Sequence, residues 1–141
     1  MSSPDLAILL AVIACCIGGA LGGYALARPE DVVGMVGLRL DPEKRHSVSE
    51  VRATYGGLFL LSHGGVAAAL GYAPGVGATM ALTLALAWAG AGIGRGYTMV
   101  KDDAGTAFNV RATIFEFLMA ATLTLPFWAL IAAARASGVL V

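Results

Sequence analysis

The uncharged run LAILLAVIACCIGGALGGYALA, residues 6–27, decides the fold class of this 141-residue chain. As an α-helix rising about 1.5 Å per residue, its 22 residues are long enough to cross a hydrocarbon core of about 30 Å. The chain is 58% hydrophobic and only 13% charged, whereas soluble domains carry roughly 25% charged residues. The composition therefore indicates a membrane protein, which we predict to be a single domain of residues 1–141.

Small residues give the first run a flat face. Four glycines form two overlapping G-x-x-x-G spacings: Gly18, Gly19, Gly22 and Gly23. Small residues let helix backbones approach closely in lipid, so this face predicts contact with another helix of the chain, a second copy, or a larger membrane complex. Residues 1–14 contain no Lys or Arg, so the basic region of a signal peptide is missing and we keep this helix in the mature protein.

Three further apolar runs follow, at residues 52–73, 76–94 and 112–134. They are separated by a polar connection at 28–51, the turn Pro74-Gly75, and a second polar loop at 95–111. We therefore predict an all-α fold, a transmembrane up-down four-helix bundle. The apolar residues within the first connection predict a short segment lying on the membrane surface or packed over the bundle mouth. The S-x-x-E spacing of Ser47-Val48-Ser49-Glu50 predicts a capping box and a second helix that starts near Val48.

Basic residues are distributed unevenly along the chain. Arg135 alone lies on one predicted side of the membrane. The other eight basic residues lie in the two polar loops or next to them: Arg28, Arg39, Lys44, Arg45, Arg52, Arg95, Lys101 and Arg111. The positive-inside rule then places loops 28–51 and 95–111 in the cytoplasm and both termini in the periplasm of a bacterial inner membrane.

Ionisable residues in membrane helices are costly and usually face the bundle interior with a partner. An up-down chain brings Arg52, Arg95 and Glu116 to one membrane face, where either arginine could bind the carboxylate through two parallel hydrogen bonds. At about 100° per residue, Tyr55 and His63 fall in the same sector of the second helix as Arg52. We take these five residues as the candidate binding site.

Two interpretations of this cluster remain open. An Arg–Glu pair can simply fix which helices meet, and a single histidine can bond to a neighbouring backbone group. As a functional site, the cluster favours a non-enzymatic role, either binding a membrane lipid or small amphiphile or serving as an accessory subunit. The alternative is a small proton-coupled transporter or membrane enzyme that uses Glu116 and His63. The sequence has no metal-ligand spacing, phosphate loop or excess of basic charge, so we expect no metal, cofactor or nucleic-acid partner.

Several of these residues resemble a known family pattern. The stretch RATYGG at 52–57, with Gly94-Arg95, the turn from Asp103 to Gly105, and Glu116, resembles a bacterial family of small four-helix membrane proteins. That family is described only as a domain of unknown function. The resemblance covers residues 6–134 and implies the architecture and the choice of site, without a reaction. The family usually carries an Asp-Gly pair in the second loop, whereas Ala104 intervenes here, so the resemblance assigns Asp103 no role.

Overall fold

The computed structural model describes residues 2–44 and 46–139, and most of them are helical. The helices are α1 (Ser3–Ala27), α2 (Pro29–Met35), α3 (His46–Tyr72), α4 (Pro74–Lys101) and α5 (Ala107–Ala136). The four long helices have the length and apolar composition needed to cross a membrane. The all-α class is confirmed, and the four long apolar helices support a multi-pass membrane protein. The residues group into two compact units, one of residues 15–67 and one of residues 2–14 with 68–139.

On α1 the buried side chains are small, whereas large apolar ones are exposed. The buried positions of α1 are all small residues: Ala7, Ala11, Ala14, Cys15, Gly18, Gly19, Gly22 and Ala25. Leu9, Ile13 and Ile17 of the same helix are exposed. In water this arrangement would leave large apolar areas hydrated, at a free-energy cost of roughly 25 cal/mol per Å² of exposed apolar surface. In lipid it exposes nothing unfavourable and lets backbones pack closely, so the packing itself supports a membrane environment.

The glycine face of α1 packs against α3 of the same chain. A methyl group added at Gly18 would collide with the imidazole of His63, and one added at Gly22 would lie 2.9 Å from the Gly56 carbonyl oxygen. Gly23, by contrast, has open space above it. Part of the predicted flat face is therefore used within the chain, and contact with a second copy or another subunit stays a prediction.

The helices are longer than the apolar runs that predicted them. Helix α4 continues to Lys101, seven residues beyond the predicted end at Gly94, and α5 begins at Ala107, five residues before the predicted start at Ala112. The prediction of a loop over residues 95–111 was therefore wrong, and the connection is limited to residues 102–106. A charged side chain ends an apolar run of sequence, but it does not interrupt the backbone hydrogen bonds of a helix. Helix α4, with 28 residues and a length of about 42 Å, is therefore longer than a hydrocarbon core of about 30 Å.

The connections end helices by identifiable means. Asp103, in the α4–α5 connection, adopts a left-handed φ of +52°, and the Thr106 hydroxyl accepts a hydrogen bond from the Asn109 backbone N–H at 3.2 Å, capping α5. Helix α2 is the short segment predicted within the first polar connection. It begins with Pro29 at its first turn and is followed by Gly37, whose φ of +76° suits a residue without a side chain.

The start of α3 differs from the predicted capping box. The helix begins at His46, two residues before Val48, so Ser47 lies inside the first turn. The Ser47 hydroxyl donates to the Asp41 carbonyl at 3.3 Å. The predicted role of Ser47 as the N-terminal cap was therefore wrong, because its hydroxyl binds the preceding loop.

A π-helical turn interrupts α3 over Arg52–Gly57, between α-helical segments at His46–Val51 and Leu58–Tyr72. The Leu58 backbone N–H donates to the Ala53 carbonyl, five residues back. Val51 and Gly56 are both buried although they are five residues apart, a separation that would set them about 140° apart on an α-helix. The α-helical phase used to align Arg52 with His63 therefore does not hold across this turn.

Candidate functional site

A buried carboxylate on α5 holds a guanidinium on α4. The Glu116 side chain is 8% exposed and that of Arg95 is 28% exposed. Arg95 Nε donates to both carboxylate oxygens at 3.1 Å, and Nη2 donates to Oε1 at 2.7 Å. Arg95 is therefore the cation that partners Glu116, and the pair ties α4 to α5 through charge-assisted hydrogen bonds.

Asn109 extends this pair and was not among the predicted site residues. Arg95 Nη1 donates to Asn109 Oδ1 at 3.3 Å, and Asn109 Nδ2 donates to the Ala104 carbonyl at 2.8 Å. Asn109 was assigned to a loop because α5 was predicted to start later. Its spacing of seven residues from Glu116, two helical turns, would have placed both side chains on one face had the helix been extended.

An open depression of about 330 Å³ lies beside the pair, with Arg95 and Asn109 on its wall. Gly90 and Gly94 also line it, and a methyl group added at either position would meet no other atom within 4 Å. The Thr113 hydroxyl, between Asn109 and Glu116 on the same face of α5, is buried and has no hydrogen-bond partner among the described residues. Polar groups and open space therefore meet in the unit of residues 2–14 with 68–139.

Arg52 is placed in the other unit, of residues 15–67. Its Nε donates to the Leu26 carbonyl at 3.1 Å. Leu26 lies in the last turn of α1, where carbonyls lack intrahelical partners and a cation is favourable to the helix dipole. Arg52 thus caps the end of α1 through one nitrogen, and its two terminal nitrogens make no hydrogen bond to the described residues.

Tyr55 and His63 occupy different environments. Tyr55, within the π turn, is 50% exposed, whereas His63 is 1% exposed. His63 Nδ1 lies 2.7 Å from the Phe59 carbonyl and, since a carbonyl only accepts, Nδ1 carries the hydrogen. The His63 ring also stacks on Phe59 with centroids 5.5 Å apart. The predicted continuous wall from Arg52 through Tyr55 to His63 is therefore not formed, because the π turn changes the helical phase between them.

No group of three or more His, Cys, Asp or Glu side chains within residues 2–44 and 46–139 is placed to hold a metal ion. The chemistry that the described groups offer is hydrogen bonding and charge. Arg95 and Arg52 supply N–H donors, and Glu116 supplies a carboxylate that Arg95 already engages.

Four long apolar helices and an Arg–Glu pair between two of them define a small all-α protein of the multi-pass membrane type. A family model described as Domain of unknown function (DUF4345) matches residues 6–128. The chain belongs to this family. This confirms the predicted membership of an uncharacterised family, while a bacterial source stays a prediction. No curated protein and no solved structure shows a significant match to the chain.

Proposed function

We propose that this chain is a non-enzymatic protein of a bacterial inner membrane that binds a membrane lipid or small amphiphile beside Arg95. The observation that carries the proposal is the 330 Å³ depression with the Arg95 guanidinium on its wall. A guanidinium has five N–H groups, and Arg95 commits Nε, one N–H of Nη2 and one of Nη1 to Glu116 and Asn109. One N–H on each terminal nitrogen is thus left for an acceptor.

Charge decides what kind of head group this site suits. Glu116 neutralises Arg95, so the pair presents hydrogen-bond donors without a net positive charge. A neutral or zwitterionic head group with oxygen acceptors therefore fits better than a highly charged anion. The glycine surface at Gly90 and Gly94 leaves room for the apolar part of the same molecule.

A change that fills the depression tests the proposal. Gly94→Leu places a side chain over open backbone, so the helix pair should stay folded while the depression closes. We expect native mass spectrometry of the detergent-purified protein to show at least about a tenfold loss of retained amphiphile, since the ligand would lose its contact surface. Gly96→Leu is the matched control, because Gly96 also has open space above it and does not line the depression.

Equal retention by the Gly94→Leu variant, the Gly96→Leu variant and the unaltered protein would contradict the proposal. The alternative, proton-coupled transport or catalysis by Glu116 and His63, has a separate readout. In proteoliposomes with an imposed pH gradient, the alternative requires proton uptake that Glu116→Gln abolishes. The proposed binding role requires no such uptake. The same mass spectra report whether the protein is a monomer, a homo-oligomer, or part of a larger complex.

A further inference from the structure

A second depression, of about 230 Å³, lies between the end of α1 and the start of α3 and is lined by charges of both signs: Arg28, Arg52, Glu30 and Asp31. Among the described residues, no ion pair joins these cations to these carboxylates. Two of the four are held in place by other groups. Arg52 Nε donates to the Leu26 carbonyl at 3.1 Å, and the Tyr24 hydroxyl donates to Asp31 at 3.0 Å. Separated positive and negative groups thus surround one space.

An apolar groove runs along the same helices. It measures about 410 Å³ and is lined on α1 by Gly19, Ala20 and Gly23, and on α3 by Leu60, Gly64 and Ala67. Ala27, which lines the charged depression, follows Ala20 and Gly23 at helical spacing. The groove and the charged depression therefore lie along one face of α1, with the charged end where the apolar run stops.

We propose that this surface binds one zwitterionic phospholipid with an ethanolamine head group. Arg28 and Arg52 contact its phosphate, Glu30 and Asp31 contact its ammonium, and one acyl chain lies in the groove. Guanidinium groups bind phosphate through charge-assisted hydrogen bonds, and an ammonium donates to carboxylates in the same way. A purely anionic head group would leave both carboxylates facing like charge. The site shares no residue with the depression beside Arg95, so it goes beyond the proposed function and can fail or succeed independently.

Competition between two lipids tests the head-group assignment. The full-length protein, purified in detergent, is mixed with equal amounts of phosphatidylethanolamine and phosphatidylglycerol carrying the same acyl chains, and bound lipid is measured by native mass spectrometry. We expect phosphatidylethanolamine to be retained in preference, and Arg28→Gln to lower its retention about tenfold through loss of a charged contact. Arg111→Gln, which removes an exposed cation whose Nε donates to the Ala107 carbonyl of its own helix, should leave retention unchanged.

Removing the carboxylates should change selectivity in a defined direction. The double variant Glu30→Gln, Asp31→Asn keeps hydrogen-bonding groups but lacks the negative charges that face the ammonium. We expect it to retain phosphatidylglycerol at least as well as phosphatidylethanolamine. A merely destabilised protein would instead lose both lipids together.

The groove has its own pair of variants. Gly64→Leu fills it without collision and should lower retention of both lipids, whereas Gly65→Leu, on the neighbouring residue outside the groove, should not. Equal retention of the two lipids by the unaltered protein, a preference for phosphatidylglycerol, or full retention by both Arg28→Gln and Gly64→Leu would overturn the proposal. Because Gly94→Leu acts only on the depression beside Arg95, its result distinguishes failure of the proposed function from failure of this phospholipid site.

Discussion

Arg95 and Glu116 tie two helices together and still leave part of the guanidinium accessible. The carboxylate is almost fully enclosed and accepts three hydrogen bonds, all from Arg95, whose guanidinium stays partly open. Removing one member of such a pair leaves the other charge desolvated without its partner, which costs more than the pair itself contributes. The stability of the α4–α5 hairpin should therefore fall when either charge is removed without the other.

The Glu116→Gln variant tests how much the pair contributes to stability. The variant keeps the shape of the side chain but leaves Arg95 without a counter-charge, and we expect the free energy of unfolding to fall by about 2 kcal/mol. This is below the value for a fully enclosed pair because water reaches Arg95. Reversible unfolding in detergent, followed by circular dichroism, measures the change.

A double-mutant cycle supplies the control for this prediction. Arg95→Gln with Glu116→Gln removes both charges, so it should be more stable than the sum of the two single variants predicts. Glu50→Gln alters an exposed carboxylate and should leave unfolding unchanged. Additive effects of the two single variants would show that the pair contributes nothing specific.

The sequence predicted that Glu116 pairs with an arginine, but it did not predict which arginine. Glu116 in an apolar run requires a cation, and both Arg52 and Arg95 satisfied that requirement on the sequence. The choice of Arg95 depends on the extended length of α4 and α5, which hydropathy does not report. The burial of His63 over Gly18 was equally hidden, because a glycine reveals only that something approaches closely and not which side chain does so.

Among the helices, the π turn of Arg52–Gly57 is the feature that the α-helical periodicity of the sequence could not predict. Assuming 100° per residue through the RATYGG stretch placed Arg52, Tyr55 and His63 on one side of α3. The extra residue in the turn instead aligns Val51 with Gly56 and leaves Tyr55 exposed. The apolar runs predicted that the helices exist, but they did not predict where the helices end, since helical hydrogen bonding continues beyond the hydrocarbon.

Deletion variants test this interpretation of the turn. Removing exposed Thr54 from the π segment should convert it to α-helix and bring Val51 and Gly56 to a spacing of four, which still keeps them on one face. We expect the melting temperature in detergent to fall by only about 5 °C or less, which corresponds to roughly 1 kcal/mol.

Deletion of exposed Leu61 is the matched control for the turn. It removes a residue from regular α-helix, turning all later side chains of α3 by about 100° relative to Gly56 and displacing His63 from Gly18. We expect this variant to unfold or aggregate. An equal loss of stability in the two deletion variants would show that the fold requires the π turn. The turn would then not be an extra residue that the helix merely tolerates.

For the whole molecule, the distribution of side-chain size and the distribution of charge support the same environment. Along α1 the buried side chains are small and the large aliphatic ones face outward, and the charged depression of α1 and α3 lies where the apolar run of α1 ends. We propose, as the sequence predicts, that the four long helices alternate in direction, so that both polar connections lie at one membrane face. Eight of the nine basic residues then lie at that face, which we propose to be cytoplasmic.

Cysteine accessibility tests this orientation. With Cys15 and Cys16 replaced by alanine, one cysteine is introduced either at Ser3, near the amino terminus, or at Asp102, in the α4–α5 connection; both positions are exposed. A membrane-impermeant maleimide applied to intact spheroplasts should label the Ser3→Cys variant, whereas the Asp102→Cys variant should react only after permeabilisation. The reverse pattern would invert the orientation. Labelling of both from outside would show that the chain between them crosses the membrane an even number of times, which is incompatible with an alternating path through α1, α3 and α4.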